Sequence, residues 1–370
     1  MFDSSSPPGN PSPLHFTEYG IPIRSLWHML LYAWNELPGS GPVTPGEVES
    51  APTLDALLAL VLARSMQQRM RIGLGGAYVN EARTIRGVRG RIDFSSSIRH
   101  NAFEKGEAAC EFQQYSSNEP RNRIIRSTLV RLIQTGEFGP DKGDADALRH
   151  RLRWLVRSLD GIDLLELTSE LVSRHLLMQN DRDYRLMLSI CELILMRQMP
   201  LEAQGVHPMP GLDHDRLVLH RIYERFVANF YRMKLKDWSV AAQKHLDWHA
   251  QETHEHLPRM IPDLVLEHRE TGRILILDTK FTANSLVENQ WGKPIYDSSH
   301  LYQLYAYLRS QEHLSEAHRT AAGILLYPAI QTRASESIQL QEHTVHIVQL
   351  DLAASWQNVE KQLIELVERV

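Results

Sequence analysis

Cysteine is nearly absent: Cys110 and Cys191 are the two in 370 residues, far apart and each inside an apolar stretch. That excludes a disulfide framework and reads as reduced, packed thiols in a cytoplasmic protein. Also missing is any apolar run approaching the roughly 20 residues that a membrane span needs. No basic segment followed by an apolar stretch opens the chain, so no secretory signal is expected. No GxxxxGK[ST] loop occurs, which excludes nucleotide binding by that route. A basic excess is lacking too, with 40 Lys and Arg against 45 Asp and Glu, a net charge of −5 and a pI near 6.4. Phosphate contacts supply most non-specific affinity for nucleic acid, so any grip on DNA is local or comes from a partner.

What is present suffices for two domains with real cores. Residues 1–20, rich in Ser, Pro and Gly, read as a disordered tail. An α-rich N-terminal domain with a small β part is expected over residues 21–199. It contains a largely buried helix from Ile21 to Trp34, a Pro/Gly loop from Glu36 to Pro52 and a helix from Thr53 to about Arg71. Short strands follow between Tyr78 and Phe94, then a strand near 108–112, a helix opened by Pro120 and helices near 145–159 and 184–197. Met178, Met187, Met196 and Met199 form a stripe that reads as core. Pro200, Gly205, Pro208, Pro210 and Gly211 mark a linker over 200–215. Residues 216–370 then read helix (217–235), strand (240–248), hairpin (260–267 and 273–280), helix (298–309), two strands (322–327 and 343–350) and helix (353–368). The whole is a mixed α/β chain whose C-terminal domain matches the αβββαβ core of restriction-endonuclease-like folds.

The hairpin carries the chemistry. The apolar runs 264–266 and 274–277 flank Arg269-Glu-Thr-Gly272, a four-residue loop that pairs His268 with Arg273. Carrying that register outward sets Asp263 opposite Asp278, with Cβ atoms roughly 4.5–5.5 Å apart. Alternation puts Ile274, Ile276, Asp278 and Lys280 on one face. Two carboxylates and a lysine at the end of an apolar hairpin suit metal-assisted phosphodiester hydrolysis. A hard cation such as Mg²⁺ stabilises both acids, and the lysine opposes charge developing on phosphate. Pro262-Asp263, fourteen residues and Asp278-Thr-Lys280 resemble the PD-(D/E)xK nuclease signature. Acid-x-Lys is common, and a surface hairpin with a Lys–Asp pair is the bland alternative.

Two helices add candidates. Asp297 can cap a helix from about 298, on which Gln303 and Tyr307 lie four apart on one face, similar to the Gln-x-x-x-Tyr element of RecB-like nucleases. Upstream, Glu224 shares a stripe with Leu217, Val227, Ala228 and Tyr231, which suits a third metal ligand or a pairing with Arg221 or Arg225. Arg83, Arg86, Arg89, Arg91 and Arg99 suggest contact with phosphate or an acidic partner surface; otherwise they form a solvated face. His249, His254 and His256 fit no zinc spacing and read as a solvated loop.

Ile21-Pro-Ile-Arg24 and Met29-Leu-Leu-Tyr-Ala-Trp34 resemble the opening of McrC, the nuclease subunit of the McrBC modification-dependent restriction system. Gly87-Val-Arg-Gly-Arg-Ile-Asp-Phe94, Asn122-Arg-Ile-Ile-Arg-Ser-Thr-Leu129, Pro258-Arg-Met260, Leu277-Asp-Thr-Lys280, Leu301-Tyr-Gln-Leu304 and Leu326-Tyr-Pro328 are similar in the same order. Ser25 stands where the family usually has Asn, and residues 1–20 are extra. The resemblance implies that Asp263, Asp278 and Lys280 are the acidic pair and lysine of a Mg²⁺-dependent endonuclease. It implies a McrB-like AAA+ GTPase partner, which binds the GTP and recognises methylated cytosine in double-stranded DNA, and N-terminal docking on that partner. Two copies per active assembly are implied by double-strand cleavage. A non-catalytic scaffold and activator of the GTPase, or a stand-alone RecB-like repair nuclease, are the competing readings.

Overall fold

The computed structural model describes residues 17, 20–34, 43–178, 181–198, 214–250, 256–282, 286–288, 293–329 and 335–370. The expected tail over 1–20 and linker over 200–215 lie almost wholly outside these residues, as do His254 and Met199. In chain order the elements are α1 (Ile23–Ala33), α2 (Pro45–Glu49), α3 (Leu54–Ile72), β1 (Ala77–Arg86), β2 (Arg91–Ile92), α4 (Phe94–Arg99), β3 (Glu107–Ser116), α5 (Pro120–Thr135), α6 (Lys142–Ser158), α7 (Ser169–Met178), α8 (Arg182–Gln198) and α9 (His214–Lys234). They continue with β4 (Trp238–Ala242), β5 (Leu264–His268), β6 (Ile274–Thr279), β7 (Leu286–Glu288), β8 (Pro294–Tyr296), α10 (Ser298–Gln311), α11 (Glu316–Arg319), β9 (Ala322–Ala329), β10 (Ser335–Leu340), β11 (His343–Asp351) and α12 (Trp356–Arg369). The mixed α/β class is as expected. Seven elements are additional to the sequence reading: α2 inside the expected 36–52 loop, α4, α7, β7, β8, α11 and the polar strand β10. No described helix is long and apolar enough to cross a membrane.

Contacts divide the chain into two units, one of residues 58–137 and 141–195, the other of residues 1–57, 138–140 and 196–370. In the first unit β3 pairs with β1 and β2 in a three-stranded antiparallel sheet. Ala108, Cys110 and Phe112 alternate inward along β3, as period-2 patterning requires, and meet Ile85 and Ile92. Gly90 has φ +67°, and a Cβ there would lie 2.3 Å from the Glu111 carbonyl oxygen, so this close turn tolerates no side chain. Nearly all of β1 is exposed, and so are Arg83, Arg86, Arg89 and Arg91, with the Arg89 guanidinium lying 4.4 Å from the centre of the Phe112 ring. Asn122, at the start of α5, is fully buried. Its amide donates to the carbonyls of Gly75 and Ser117 at 2.8 Å each, and its oxygen accepts from the Tyr184 hydroxyl at 2.7 Å.

The second unit is built on a six-stranded sheet of order β10-β11-β9-β6-β5-β4. Strands β4, β5 and β6 form an antiparallel meander after α9; α10 crosses over to β9, which lies parallel to β6. That is the αβββαβ order expected of residues 216–370, extended by β10, β11 and α12. The β5–β6 register is also the expected one, with Leu264 opposite Leu277 and Glu267 opposite Ile274, and with the His268 N–H donating to the Arg273 carbonyl at 2.9 Å. Every residue of β6 is buried. Ile274 and Ile276 pack with Leu304, Tyr307 and Leu308 of α10.

Helix α1 belongs to this second unit, although residues 21–199 read from sequence as one N-terminal domain. It lies against α9, where Asn229 donates to the Tyr32 and Ala33 carbonyls at 3.1 and 3.0 Å and satisfies the orphan end of α1. Ser25 donates to the Leu352 carbonyl at 2.6 Å, and the Tyr32 hydroxyl to Glu360 on α12 at 2.5 Å. The Tyr32, Phe226, Phe230 and Trp356 rings meet at the same junction.

Candidate active site

Asp278 is the penultimate residue of the central strand β6 and is only 3% exposed. The Lys280 ammonium lies 2.5 Å from its Oδ2. The Lys280 backbone N–H donates to the Leu326 carbonyl at 2.9 Å, prolonging the β6–β9 ladder by one bond and fixing where the lysine leaves the sheet. Lys280 Nζ also donates to Gln303 Oε1 at 2.6 Å. Gln303 Nε2 donates to the Tyr307 hydroxyl at 2.7 Å, and that hydroxyl donates to the Ile261 carbonyl at 3.3 Å. The i, i+4 pair read from the sequence therefore forms a relay that tethers the lysine to the strand entering the hairpin. Asp297 caps α10 as expected, accepting from the Ser299 N–H at 2.9 Å.

Asp263 lies in the bend just before β5, in register with Asp278. Its Oδ2 accepts two hydrogen bonds from one residue, the Thr279 N–H at 2.7 Å and the Thr279 hydroxyl at 2.5 Å. Glu224 reaches the cluster from α9 and accepts from the side-chain amide of Gln243. Gln243 follows β4 with φ +52°, in the left-handed region, and its N–H donates to the Asp263 carbonyl at 3.0 Å.

The three carboxyls share one electrostatic environment. Burial raises the pKa of Asp278, with the Asp263 charge adding to it and Lys280 opposing. Burial raises that of Asp263, helped by Glu224 and opposed by the two Thr279 bonds. Burial likewise raises that of Glu224, helped by Asp278 and opposed by the Gln243 bond, Arg221 and Arg225. Both sequence readings of Glu224 thus have a physical counterpart: it feels the acidic pair and the neighbouring arginines. Among the described residues, no group of three His, Cys, Asp or Glu side chains is arranged to hold a metal ion as it stands. The donors are nonetheless hard oxygens that resist sharing negative charge, a set whose chemistry fits a hard divalent cation.

All six residues singled out from the sequence, Glu224, Asp263, Asp278, Lys280, Gln303 and Tyr307, gather at this end of the sheet. Sequence reading missed Thr279, Gln243 and His300. His300 is one turn before Gln303 on the same face of α10 and contacts the Tyr327 hydroxyl through Nδ1 at 3.0 Å. Its pKa is lowered by burial and by Lys280. The helical spacing of His300, Gln303 and Tyr307 was the available signal. The histidines at 249 and 256 are exposed, and His249 stacks on His313 at 3.7 Å, far from a ligand set. Met187 is buried, as a core stripe requires.

Residues 17–328 match the family model described as a McrBC 5-methylcytosine restriction system component. The chain belongs to that family. This McrC-like chain is 27% identical over 354 residues to the type IV methyl-directed restriction enzyme EcoKMcrBC of Escherichia coli K12, covering 94% of itself and 97% of that protein. Its fold is similar to a solved half-complex from a tetradecameric assembly of Thermococcus gammatolerans McrB AAA+ hexamers with bound McrC. The TM-score is 0.57 at 16% identity, over 94% of this chain and 76% of that one.

Proposed function

We propose that this McrC-like chain is the DNA-cutting subunit of a 5-methylcytosine-directed restriction complex, hydrolysing phosphodiesters at the Asp263–Asp278–Lys280 cluster. The observation that carries the reading is convergence: an acid-x-Lys strand end, a register-paired second acid, and a Gln/Tyr relay all meet at one place. Family membership and the likeness to EcoKMcrBC support it further. Asp263 and Asp278 would hold Mg²⁺, and Glu224 completes the acidic set. Bound there, the cation would supply Lewis-acid polarisation of phosphate and a more acidic water.

The chain's own residues do the rest. Lys280 brings a positive charge to the open end of the site, where it opposes negative charge on the reacting phosphate. Gln303 holds that ammonium at a fixed place, and Tyr307 holds Gln303 in turn. Hydrophobic packing of Ile274 and Ile276 against α10 keeps the two functional elements in register. The partner is a McrB-like AAA+ GTPase that binds the GTP and selects DNA containing modified cytosine, and two copies of this chain act on the two strands.

Lys280→Ala tests the reading. Removing one such electrostatic donor commonly costs about 10²–10³ in rate. The variant should lose DNA cleavage of methylated plasmid while still stimulating the partner's GTP hydrolysis to near the parental level, with circular dichroism confirming the fold. Parental cleavage by the variant would overturn the catalytic assignment and favour a non-catalytic scaffold.

A further inference from the structure

The middle residue of the Asp278-Thr279-Lys280 motif makes an arrangement that the motif itself does not require. Thr279 is 1% exposed, and both of its donors, the backbone N–H and the hydroxyl, land on the same oxygen of Asp263. A carboxylate oxygen accepts about two hydrogen bonds through its lone pairs. Oδ2 is therefore filled by Thr279, while neither Thr279 donor reaches Oδ1. Asp263 lies in a bend just outside β5 with its carbonyl held by the Gln243 N–H, and a neighbouring acid repels its side chain.

We propose that Thr279 is a positioning residue that pins Asp263 through Oδ2 and so presents Oδ1 as a single-oxygen ligand for a divalent cation. This rests on the reading of the cluster as a metal-dependent nuclease site. The geometry explains why a hydroxyl occupies a fully buried position that an apolar residue would otherwise fill. Valine keeps the shape of threonine and the backbone N–H but deletes the second bond, so Asp263 is held by one donor and gains freedom to turn away. Serine restores the hydroxyl without the methyl. Hydrogen-bonding partners of metal ligands are commonly worth about 10–100-fold in metal affinity.

The test is calorimetric titration of Mn²⁺ into the metal-free full chain, for the parent, Thr279→Val, Thr279→Ser and Asp278→Ala. Circular dichroism and a melting curve are recorded for each. Thr279→Val is expected to weaken Mn²⁺ binding about 10–100-fold. Thr279→Ser should return it to within a few-fold of the parent. In cleavage assays with the partner and GTP, half-saturating metal should rise in Thr279→Val by a larger factor than the saturated rate falls. A folded Thr279→Val that binds Mn²⁺ as the parent does overturns the positioning role. So does a loss in Thr279→Ser equal to that in Thr279→Val, which would assign the effect to packing. If Thr279→Val does not fold, Thr279→Ser against Asp278→Ala decides: parental affinity in the serine variant supports the role, and loss there overturns it. A parent that takes up no Mn²⁺, with Asp278→Ala still cutting DNA, refutes the nuclease reading itself, a result separable from failure of the Thr279 inference alone.

Discussion

Replacing Asp278 by Asn removes a buried charge and should make the metal-free protein more stable at alkaline pH, not less. The carboxyl is almost fully buried, and burial and Asp263 both raise its pKa. A group whose folded pKa lies above its unfolded value contributes stability below the unfolded pKa and loses it as pH rises through the folded one. Charging this carboxyl in the metal-free protein therefore opposes folding. Two like charges about 5 Å apart repel by about 3 kcal/mol at an effective dielectric near 20. By the same relation the Lys280 ammonium, 2.5 Å away, attracts the carboxylate by about 6 kcal/mol, so it is the burial of the charge that tips the balance against the ionised form. Each kcal/mol recovered by the neutral amide would raise Tm by about 2–4 °C in a unit of roughly 150–250 residues. Magnesium should reverse the ranking, because a ligand at 100 times its Kd stabilises the native state by about 2.7 kcal/mol. Differential scanning calorimetry of parent and variant at pH 4.5, pH 6 and pH 8, each in EDTA and in Mg²⁺, reads all of this. The parent should gain stability from metal and, in EDTA, lose more of it than the variant as pH rises from 4.5 to 8. A variant that melts well below the parent in EDTA at pH 8, or that gains equally from Mg²⁺, would refute the reasoning.

Two further outcomes can be checked. Asn122→Ala deletes three buried hydrogen bonds and strands the Gly75 and Ser117 carbonyls, so urea unfolding should report a loss of about 3 kcal/mol or more; a loss under 1 kcal/mol would contradict the role given to that amide. Reversing the exposed Arg86 and Arg89 to Glu should leave far-UV circular dichroism close to parental, with some Tm lost from the Arg89–Phe112 and Arg86–Glu107 contacts, while weakening assembly with the GTPase partner or DNA; unchanged assembly and cutting across several salt concentrations would reduce these arginines to a solvated face.

The hairpin register was legible because loop length, Gly272 with its positive φ, and period-2 alternation constrain one another. The Gln303–Tyr307 pair was legible for a similar reason, since helical spacing alone puts residues four apart on one face. Thr279 and Gln243 were not. A neutral side chain that holds a carboxylate leaves no periodic trace, and Gln243 acts from a left-handed turn that its residue type does not announce. Strand β10 escaped notice because it is an edge strand of mostly polar residues, Ser335-Glu-Ser-Ile-Gln-Leu340, paired on one side only. Helix α1 was visible as a helix but not as a part of the second unit. A helix buried on most of its circumference does not say which distant elements bury it.

That placement of α1 bears on when the acid–lysine end of the sheet can exist at all. Hydrogen bonds across 327 and 328 residues join Ser25 to Leu352 and Tyr32 to Glu360. Units that emerge first from the ribosome generally fold first, and residues 58–195 supply nearly all of one unit from consecutive chain. The other unit must wait for β9, whose Leu326 carbonyl receives the Lys280 N–H, and for α12, which closes over α1. An interrupted translation product thus carries a folded first unit but no assembled acid–lysine cluster. Completion of the chain therefore precedes assembly of the end of the sheet where the acids and the lysine meet.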